Sequence, residues 1–312
     1  LHRVDRRQRQ MCIRDRHKYM SSFVLITAAH NESTVIQRTI QSVLVQTVRP
    51  SKWIIVCDRC TDNTETVARS LASSVSWVTI LPLAASDAKG YQNKVNAIHA
   101  GLKLVASIDW HFLGVLDADI ELPQQYYEKI LAQMQDDERI GIAGSVVLDP
   151  GVRRKPVLRT SEVPGAVQVF RRSCLEAIGG LVSIPEGGED AVACAMARRA
   201  GYKTILFTNL IATHLKLRCA RAGDSLFRAW HCGRRDSAIG YYMPYVIAKC
   251  FFRALQEKQY VYYGTWLCGY FMYKLSGQRI RIPCDVATFI RMEQKELLWK
   301  NVHTFGLGCK GA

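Results

Sequence analysis

The sequence is short of acid. Its 312 residues hold 27 Asp and Glu against 42 Lys and Arg, a formal net charge of +15. A balance of that sign favours anionic partners: nucleotides, phosphorylated substrates, anionic membrane or nucleic acid. It suits a soluble basic enzyme equally well, so charge alone selects nothing. Also lacking is any run of the ~18 to 20 uninterrupted apolar residues that a spanning helix needs. The nearest stretch, Val261 to Tyr273, has thirteen residues with two glycines. It reads either as a core helix or as a segment lying at a membrane interface. Residues 1–19 have no apolar signal core; seven Lys/Arg stand there beside two Asp, and no periodicity organises them. They read as a disordered or non-native extension, with Met20 as a natural start. Internal repeats and nucleic-acid motifs are missing too. The eleven cysteines are scattered through apparent core and helix positions. The one Cys-x-x-Cys, Cys57 to Cys60, has no second pair to complete a zinc site. That usage fits reduced thiols in a cytosolic compartment.

What is present is core-forming. Hydrophobic residues make up 48% of the chain, enough for one large domain or two smaller ones. Phe23 to Ala29 is a continuous apolar run, hence a buried strand. Ile36, Ile40, Val43 and Leu44 follow at helical spacing. The alternation continues with strands at Trp53–Cys57 and Trp77–Leu81, a helix over about Gln92 to Ala106, and a strand beginning at Phe112. Such alternation predicts βαβ units with a parallel sheet and right-handed crossovers. Further on, helices are expected over Tyr126–Met134 and Arg171–Ile178 and from a segment opened by Glu186–Asp190 through Val192, Met196 and Ala197, with strands at Ile142–Leu148 and Thr204–Phe207. From about Gly223 the chain reads as helical, basic and aromatic.

The stretch around which the rest is arranged is Phe112-Leu113-Gly114-Val115-Leu116-Asp117-Ala118-Asp119. Five mostly apolar residues read as a buried strand, and two carboxylates follow where it runs out. Residues two apart in extended chain point to one side. Asp117 and Asp119 can thus face a common point, and paired carboxylates are costly unless a proton or cation neutralises them. A hard ion such as Mg²⁺ or Mn²⁺ takes oxygen ligands and shares them with a substrate's phosphates. Open α/β sheets bind ligands beyond the carboxyl ends of their strands, which is this position. Two solvated aspartates at a strand-to-loop turn are the plainer alternative, and an isolated Asp-x-Asp does not decide between them.

The neighbouring motifs do. AAHNE (Ala28–Glu32), CDRCTDNT (Cys57–Thr64), KVNAIHAG (Lys94–Gly101), LDADIELP (Leu116–Pro123), GAVQVFRR (Gly165–Arg172), IGGL (Ile178–Leu181) and GGEDAVACAMARRAGYKT (Gly187–Thr204) come in that order. Together they resemble the family 2 glycosyltransferases over roughly residues 22–215. The resemblance implies the A-type glycosyltransferase fold: a Rossmann-like three-layer α/β architecture with a mostly parallel central sheet. It implies transfer of a sugar from a nucleotide-sugar donor, a UDP-, GDP- or dTDP-sugar. Residues 20–215 would form that domain. Residues 216–312 would be a helical, basic extension on the acceptor side, near the membrane.

Residue by residue, Ala29, Glu32 and Asp58 match positions around the nucleotide, and each lies at or just past a strand end. A helix N-terminal charge is the alternative for Glu32, and turn capping for Asp58. Cys57-Asp58 stands where the family often has two acids, a departure that bears on the nucleobase. Lys94 matches a recurrent basic position; a solvated helix lysine is its alternative. Asp117 and Asp119 match the metal-binding Asp-x-Asp. The resemblance implies that Asp119 ligates Mn²⁺ or Mg²⁺ while Asp117 approaches the ribose or a metal-bound water. His214, expected just after a strand, would supply a further metal ligand or be an ordinary histidine. Asp190 matches the catalytic base of inverting members, although a helix N-terminus also explains a carboxylate there.

Arg228 to Asp236 is a basic-aromatic segment that could close over the diphosphate or acceptor, or face solvent. It is not the Gln-x-x-Arg-Trp pattern of processive synthases, so a non-processive enzyme is expected. The acceptor would be a glycan, a glycolipid or an exopolysaccharide precursor. The expected location is the cytoplasm, with peripheral contact at the inner face of an anionic membrane, and no nucleic-acid partner. The rival readings are a nucleotide-sugar-binding protein without turnover and a basic nucleic-acid-binding protein.

Overall fold

The computed structural model describes residues 22–84, 92–150, 160–216 and 222–307, with backbone only for 222–224 and 301–307. The extension expected over residues 1–19 lies outside the described residues.

The described chain forms two compact units. One runs to Ser183 and resumes at Glu189, while Ile184–Gly188 and the chain from Ala222 onward belong to the other. The first unit is built on an eight-stranded sheet. Its strands are β1 (Phe23–Ala29), β2 (Lys52–Asp58), β3 (Val78–Leu83), β4 (Phe112–Asp117), β5 (Ile120–Glu121), β6 (Ile140–Leu148), β7 (Val167–Arg171) and β8 (Lys203–His214). They lie in the order β3-β2-β1-β4-β7-β6-β8-β5. β3, β2, β1 and β4 are mutually parallel, as the βαβ alternation requires. β7 enters antiparallel between β4 and β6, and β8 pairs parallel with β6.

Helices α1 (Ile36–Leu44), α2 (Thr64–Ala72), α3 (Gln92–Leu104), α4 (Tyr126–Asp136), α5 (Arg172–Ala177) and α6 (Glu189–Arg199) complete the unit. Alternate strand residues feed opposite faces, as the pleat dictates. Phe23, Leu25, Trp53 and Ile55 join α1, α2 and α4 in one core. Val24, Ile26, Ile54 and Val56 join α3, α5 and α6 in the other. Each fully buried Phe, Leu or Ile contributes about 1.5–3 kcal/mol, and both faces of the central strands are filled this way. The result is a three-layer αβα unit.

Two boundaries differ from expectation for local reasons. β3 extends through Pro82, because as the sheet's edge strand it needs no donor there. β8 runs to His214 rather than stopping at Phe207. Its pairing with β6 jumps from Ser145↔Phe207 to Val146↔Ile211, so Thr208, Asn209 and Leu210 bulge out. Three residues that read as the end of a strand interrupt one instead.

The second unit holds helices α7 (Ala222–Ala238), α8 (Met243–Glu257), α9 (Tyr260–Leu275) and α10 (Cys284–Leu307). α7 and α9 touch backbone to backbone. A Cβ on Gly233 would lie 1.9 Å from the Trp266 carbonyl oxygen, and one on Gly269 2.2 Å from that of Trp230. Between these helices and α8 the fully buried Asp236 accepts from Lys249 Nζ (2.5 Å), Arg235 Nη2 (3.2 Å) and Trp266 Nε1 (3.0 Å). The segment Arg228–Asp236 is therefore helix α7, and its charged end is spent on internal packing. Arg234 lies over the Tyr273 ring.

Candidate active site

The site lies at the carboxyl ends of β1, β2 and β4. Parallel register brings Ala29 beside Cys57 and Ala28 beside Asp117, so the three strands end level. Ala29 is buried, and its carbonyl accepts from the Cys60 thiol at 3.5 Å. Asp58 is buried at the end of β2. Both its oxygens accept from Arg59, Nε at 3.0 Å and Nη2 at 2.9 Å. Its carboxylate thus caps no turn; Asp62 does, accepting from the Ser33 and Thr64 amides.

Glu32 does not serve the helix as a side-chain cap either. Its carbonyl receives the amides of Val35 and Ile36, and its own amide donates to Thr64 Oγ1 at 2.7 Å. The carboxylate points to Lys216 Nζ at 2.5 Å. Burial raises this carboxyl, against the pull of Lys216, and the charges of Asp119 and Asp117 push the same way as burial.

Lys94, at the start of α3, is no solvated lysine. Its Nζ lies 2.6 Å from Asp117 Oδ1, 3.2 Å from the Gly165 carbonyl oxygen to which it donates, and 3.9 Å from Glu189 Oε1. Burial alone would lower this ammonium; Asp117 and Glu189 hold it above the usual lysine range. Burial raises the Glu189 carboxyl, with Lys94 opposing.

Asp119 stands on the turn between β4 and β5. Its carbonyl accepts from the Leu215 amide at 2.8 Å, and its Oδ2 is 3.6 Å from Nδ1 of the buried His214. β5 pairs with the end of β8, Ile120 opposite His214, and this pairing brings the two side chains together. Burial alone would raise the Asp119 carboxyl, but His214 and Lys216 outweigh it and hold the group below its ordinary value.

Asp190 opens α6. Its Oδ1 accepts from the Ala191 amide at 2.8 Å and its Oδ2 from the Gly165 amide at 3.0 Å. The Gly165 loop comes close: a Cβ there would sit 2.9 Å from Asp190 Cβ. Gln168 Nε2 adds a contact to the Asp190 carbonyl oxygen at 3.4 Å.

All the expected site residues thus collect on one unit, linked by two lysines. Lys216, Arg59, Glu189 and Gly165 join them without having been expected as site residues. Three of these lie inside the motifs themselves (CDRC, GGED, GAVQ), so adjacency was the available signal.

Five carboxylates (Glu32, Asp117, Asp119, Glu189, Asp190) face two lysines and one imidazole. Hard oxygen donors and an imidazole within 3.6 Å suit Mn²⁺ or Mg²⁺. No closed cage of three or more His, Cys, Asp or Glu exists among the described residues. Asp119 and His214 would hold an ion only if it took its remaining ligands from phosphate or water.

The three-layer α/β unit with its mostly parallel sheet has the A-type glycosyltransferase fold. The family model described as glycosyl transferase family 2 matches residues 24–206, more than half of the chain. The chain belongs to that family. It is 22% identical over 214 residues to the poly-β-1,6-N-acetyl-D-glucosamine synthase of Staphylococcus epidermidis, covering 67% of this chain and 48% of that one. The chain thus spans about half the length of the curated relatives it matches. The mannosyltransferase PcManGT of Pyrobaculum calidifontis, solved with GDP-Man and Mn²⁺, superposes with a TM-score of 0.56 at 15% identity, covering 91% of this chain and 82% of that one. TarS of S. aureus, residues 1–349 with UDP, gives 0.50 at 12% identity over 82% and 92%. Likeness at those identities establishes the fold alone. No helix among the described residues is long and apolar enough to cross a membrane.

Proposed function

We propose that the enzyme is an inverting, metal-dependent, non-processive transferase. It moves one sugar from a UDP-, GDP- or dTDP-sugar to a glycan, glycolipid or exopolysaccharide-precursor acceptor. The observation that carries this reading is the division of labour among the carboxylates. Of the five clustered carboxylates, Asp190 is gripped by two backbone amides, while Asp117 and Glu32 are held by lysines and Asp119 by His214.

Asp119 and His214 would hold the ion, Mn²⁺ or Mg²⁺. When bound, it neutralises charge on the departing nucleoside diphosphate. Ala29, Glu32 and Asp58 line the nucleotide, where the Glu32 and Asp58 carboxylates would accept from base N–H or ribose hydroxyls. Asp117 lies at the ribose side, and Lys94 keeps it oriented. Each Asp190 oxygen retains a free lone-pair direction after its one amide contact. The carboxylate can therefore take the proton from an acceptor hydroxyl as that oxygen attacks the anomeric carbon. A single displacement with one base inverts the anomeric centre.

Eight free thiols among the described residues support a reducing compartment. We place the enzyme in the cytoplasm, in peripheral contact with the inner face of the membrane where lipid-linked acceptors reside. GDP-Man with Mn²⁺ in the Pyrobaculum relative and UDP in TarS support a nucleotide donor with a metal.

Nucleoside-diphosphate release from a panel of UDP-, GDP- and dTDP-sugars, with Mn²⁺ and with chelator, tests this. One nucleotide class should give metal-dependent release. Asp190→Asn should abolish release while donor binding persists, and Asp119→Ala should remove the metal dependence. Full turnover in chelator, or in Asp190→Asn, refutes the mechanism.

A further inference from the structure

The helical unit carries a surface that its own packing leaves uncovered. α8 turns Val246, Cys250 and Ala254 inward, onto Ala229 of α7 and onto Tyr263 and Trp266 of α9. On the adjoining arc Met243, Ile247, Phe251 and Leu255 are exposed at four-residue intervals, Phe251 at 59%, with Phe252 beyond them at 53%. At 100° per residue such a stripe is about 120° wide, and the helix is about 22 Å long. Pro244 and Ala248 fill the stripe between these residues, so it contains no charged side chain.

The next helix repeats the pattern. Tyr260, Val261, Met272 and Leu275 of α9 are exposed, Leu275 at 80%. Two consecutive helices with uncovered apolar arcs are unusual on a finished surface, because patches of this kind mark protein or membrane contacts.

Charge selects the occupant. Residues 218–312 hold fifteen Lys/Arg and six Asp/Glu, a net +9. From Met243 to Leu275 the cations are Lys249, Arg253, Lys258 and Lys274, and Glu257 is the one acid. Lys249 is committed to Asp236. Lys258 sits at the exposed turn joining the helices, in the left-handed conformation (φ 55°). There it stands between the exposed Leu255 and Tyr260. Cation and apolar side chains share one tip, which is the composition of a helix lying in the headgroup region of an anionic bilayer.

We propose that the α8 stripe and the α8–α9 tip dock on anionic lipid. Phe251, Phe252 and Leu255 enter the headgroup–acyl boundary, and Lys258 meets the headgroups. This gives the peripheral contact of the proposed function a defined surface. It rests on that reading only for its location, not for its chemistry.

The test is co-sedimentation of the full chain with vesicles of phosphatidylcholine alone and of phosphatidylcholine with phosphatidylglycerol. The wild type should bind the anionic vesicles and bind neutral ones weakly. Phe251→Glu combined with Leu255→Glu, both at exposed positions, should weaken anionic-vesicle binding by about tenfold or more. Donor-induced thermal stabilisation should stay unchanged. Failure to bind anionic vesicles, or equal binding by the variant, overturns the proposal. So does a dimer seen by light scattering that the variant dissolves without any vesicle binding, which would make a second copy the occupant. Vesicle binding without any response to donor leaves the surface standing and refutes the donor-site reading instead.

Discussion

Asp236→Ala is the most demanding test of how the helical unit holds together. Asp236 is fully buried and accepts from three donors, Lys249, Arg235 and Trp266. Removing its carboxylate leaves the Lys249 ammonium, 16% exposed, without its counter-charge. Deleting one partner of a buried ion pair costs about 3–5 kcal/mol, because the orphaned charge keeps its desolvation penalty. The Trp266 N–H loses its acceptor as well, and a buried orphan donor costs about 1–3 kcal/mol more. The loss competes with a total stability of about 5–15 kcal/mol for a folded protein. Urea unfolding followed by far-UV circular dichroism should therefore show a transition moved strongly to lower urea, or a separate early transition. A second variant, Asp236→Leu with Lys249→Met, removes both charges and should recover most of the loss, since well-packed apolar pairs replace buried ion pairs at little cost.

The pH dependence has a definite sign. Burial alone would raise the Asp236 carboxyl, but Lys249 and Arg235 outweigh it and hold the group below its ordinary value. A carboxyl depressed in the folded state contributes stability above its unfolded value of about 3.9, and that contribution fades as pH falls through the folded value. Wild type should thus lose stability faster than the double variant below about pH 4. An Asp236→Ala loss under about 1 kcal/mol, well short of the orphaned-charge cost, refutes the buried-pair reasoning.

Three other outcomes follow from single atoms. Gly269→Ala forces a Cβ to 2.2 Å from a backbone oxygen, whereas Gly264→Ala on the same helix meets nothing within 4 Å. Thermal unfolding should show the first destabilised by about 3 kcal/mol or more and the second stabilised by about 0.5–1 kcal/mol. Gly165→Ala pushes on Asp190 Cβ from 2.9 Å; steady-state kinetics should show kcat down about 10- to 100-fold with donor affinity kept. Burial pushes the Cys57, Cys174 and Cys194 thiols up to about 12 and Cys250 to about 11. Iodoacetamide at pH 8 followed by peptide mass mapping should therefore label the exposed Cys268 and Cys284 before any of these four.

Much of this molecule is legible in its sequence because the strands are uniform. Phe23–Ala29 and Phe112–Leu116 have no polar interruption beyond Thr27, so strand, burial and parallel pairing follow together. The motifs mark strand ends, and the strand ends are where the carboxylates meet. Pairing partners were not legible. Nothing local says that Lys94 reaches Asp117 and Glu189, or that Lys216 reaches Glu32 across 184 positions, since those contacts depend on tertiary packing. Likewise Thr208-Asn209-Leu210 carries the polarity of a loop, and only the register with β6 reveals a bulge within a longer strand. The second unit was legible as helical, basic and aromatic. Which arc stays exposed was not, because Val246 and Ile247 are equivalent by composition and opposite by packing.

The charge distribution gives the site its logic. The chain as a whole is at +15, which draws anionic donors from solution. Around the ends of β1, β2 and β4 the sign reverses: Glu32, Asp117, Asp119, Glu189 and Asp190 are met by Lys94, Lys216 and a histidine, and Asp58 by Arg59. A diphosphate brought to that point meets like charge at close range, and like charges sharing a site are costly. The strand register makes the conflict unavoidable, because a one-residue slip of β4 would turn Asp117 to the opposite face and unmake the β4–β5 turn that carries Asp119. Under the proposed mechanism such a site would bind its donor with a cation between them. Removing one carboxylate should then relax the cation requirement in proportion to how closely that group faces the diphosphate. Asp119→Asn, beside His214, should weaken metal-dependent donor binding more than Glu32→Gln, whose charge Lys216 already answers at 2.5 Å. Calorimetric titration of donor into each variant, with Mn²⁺ and with chelator, orders the two, and the reverse order would break the argument.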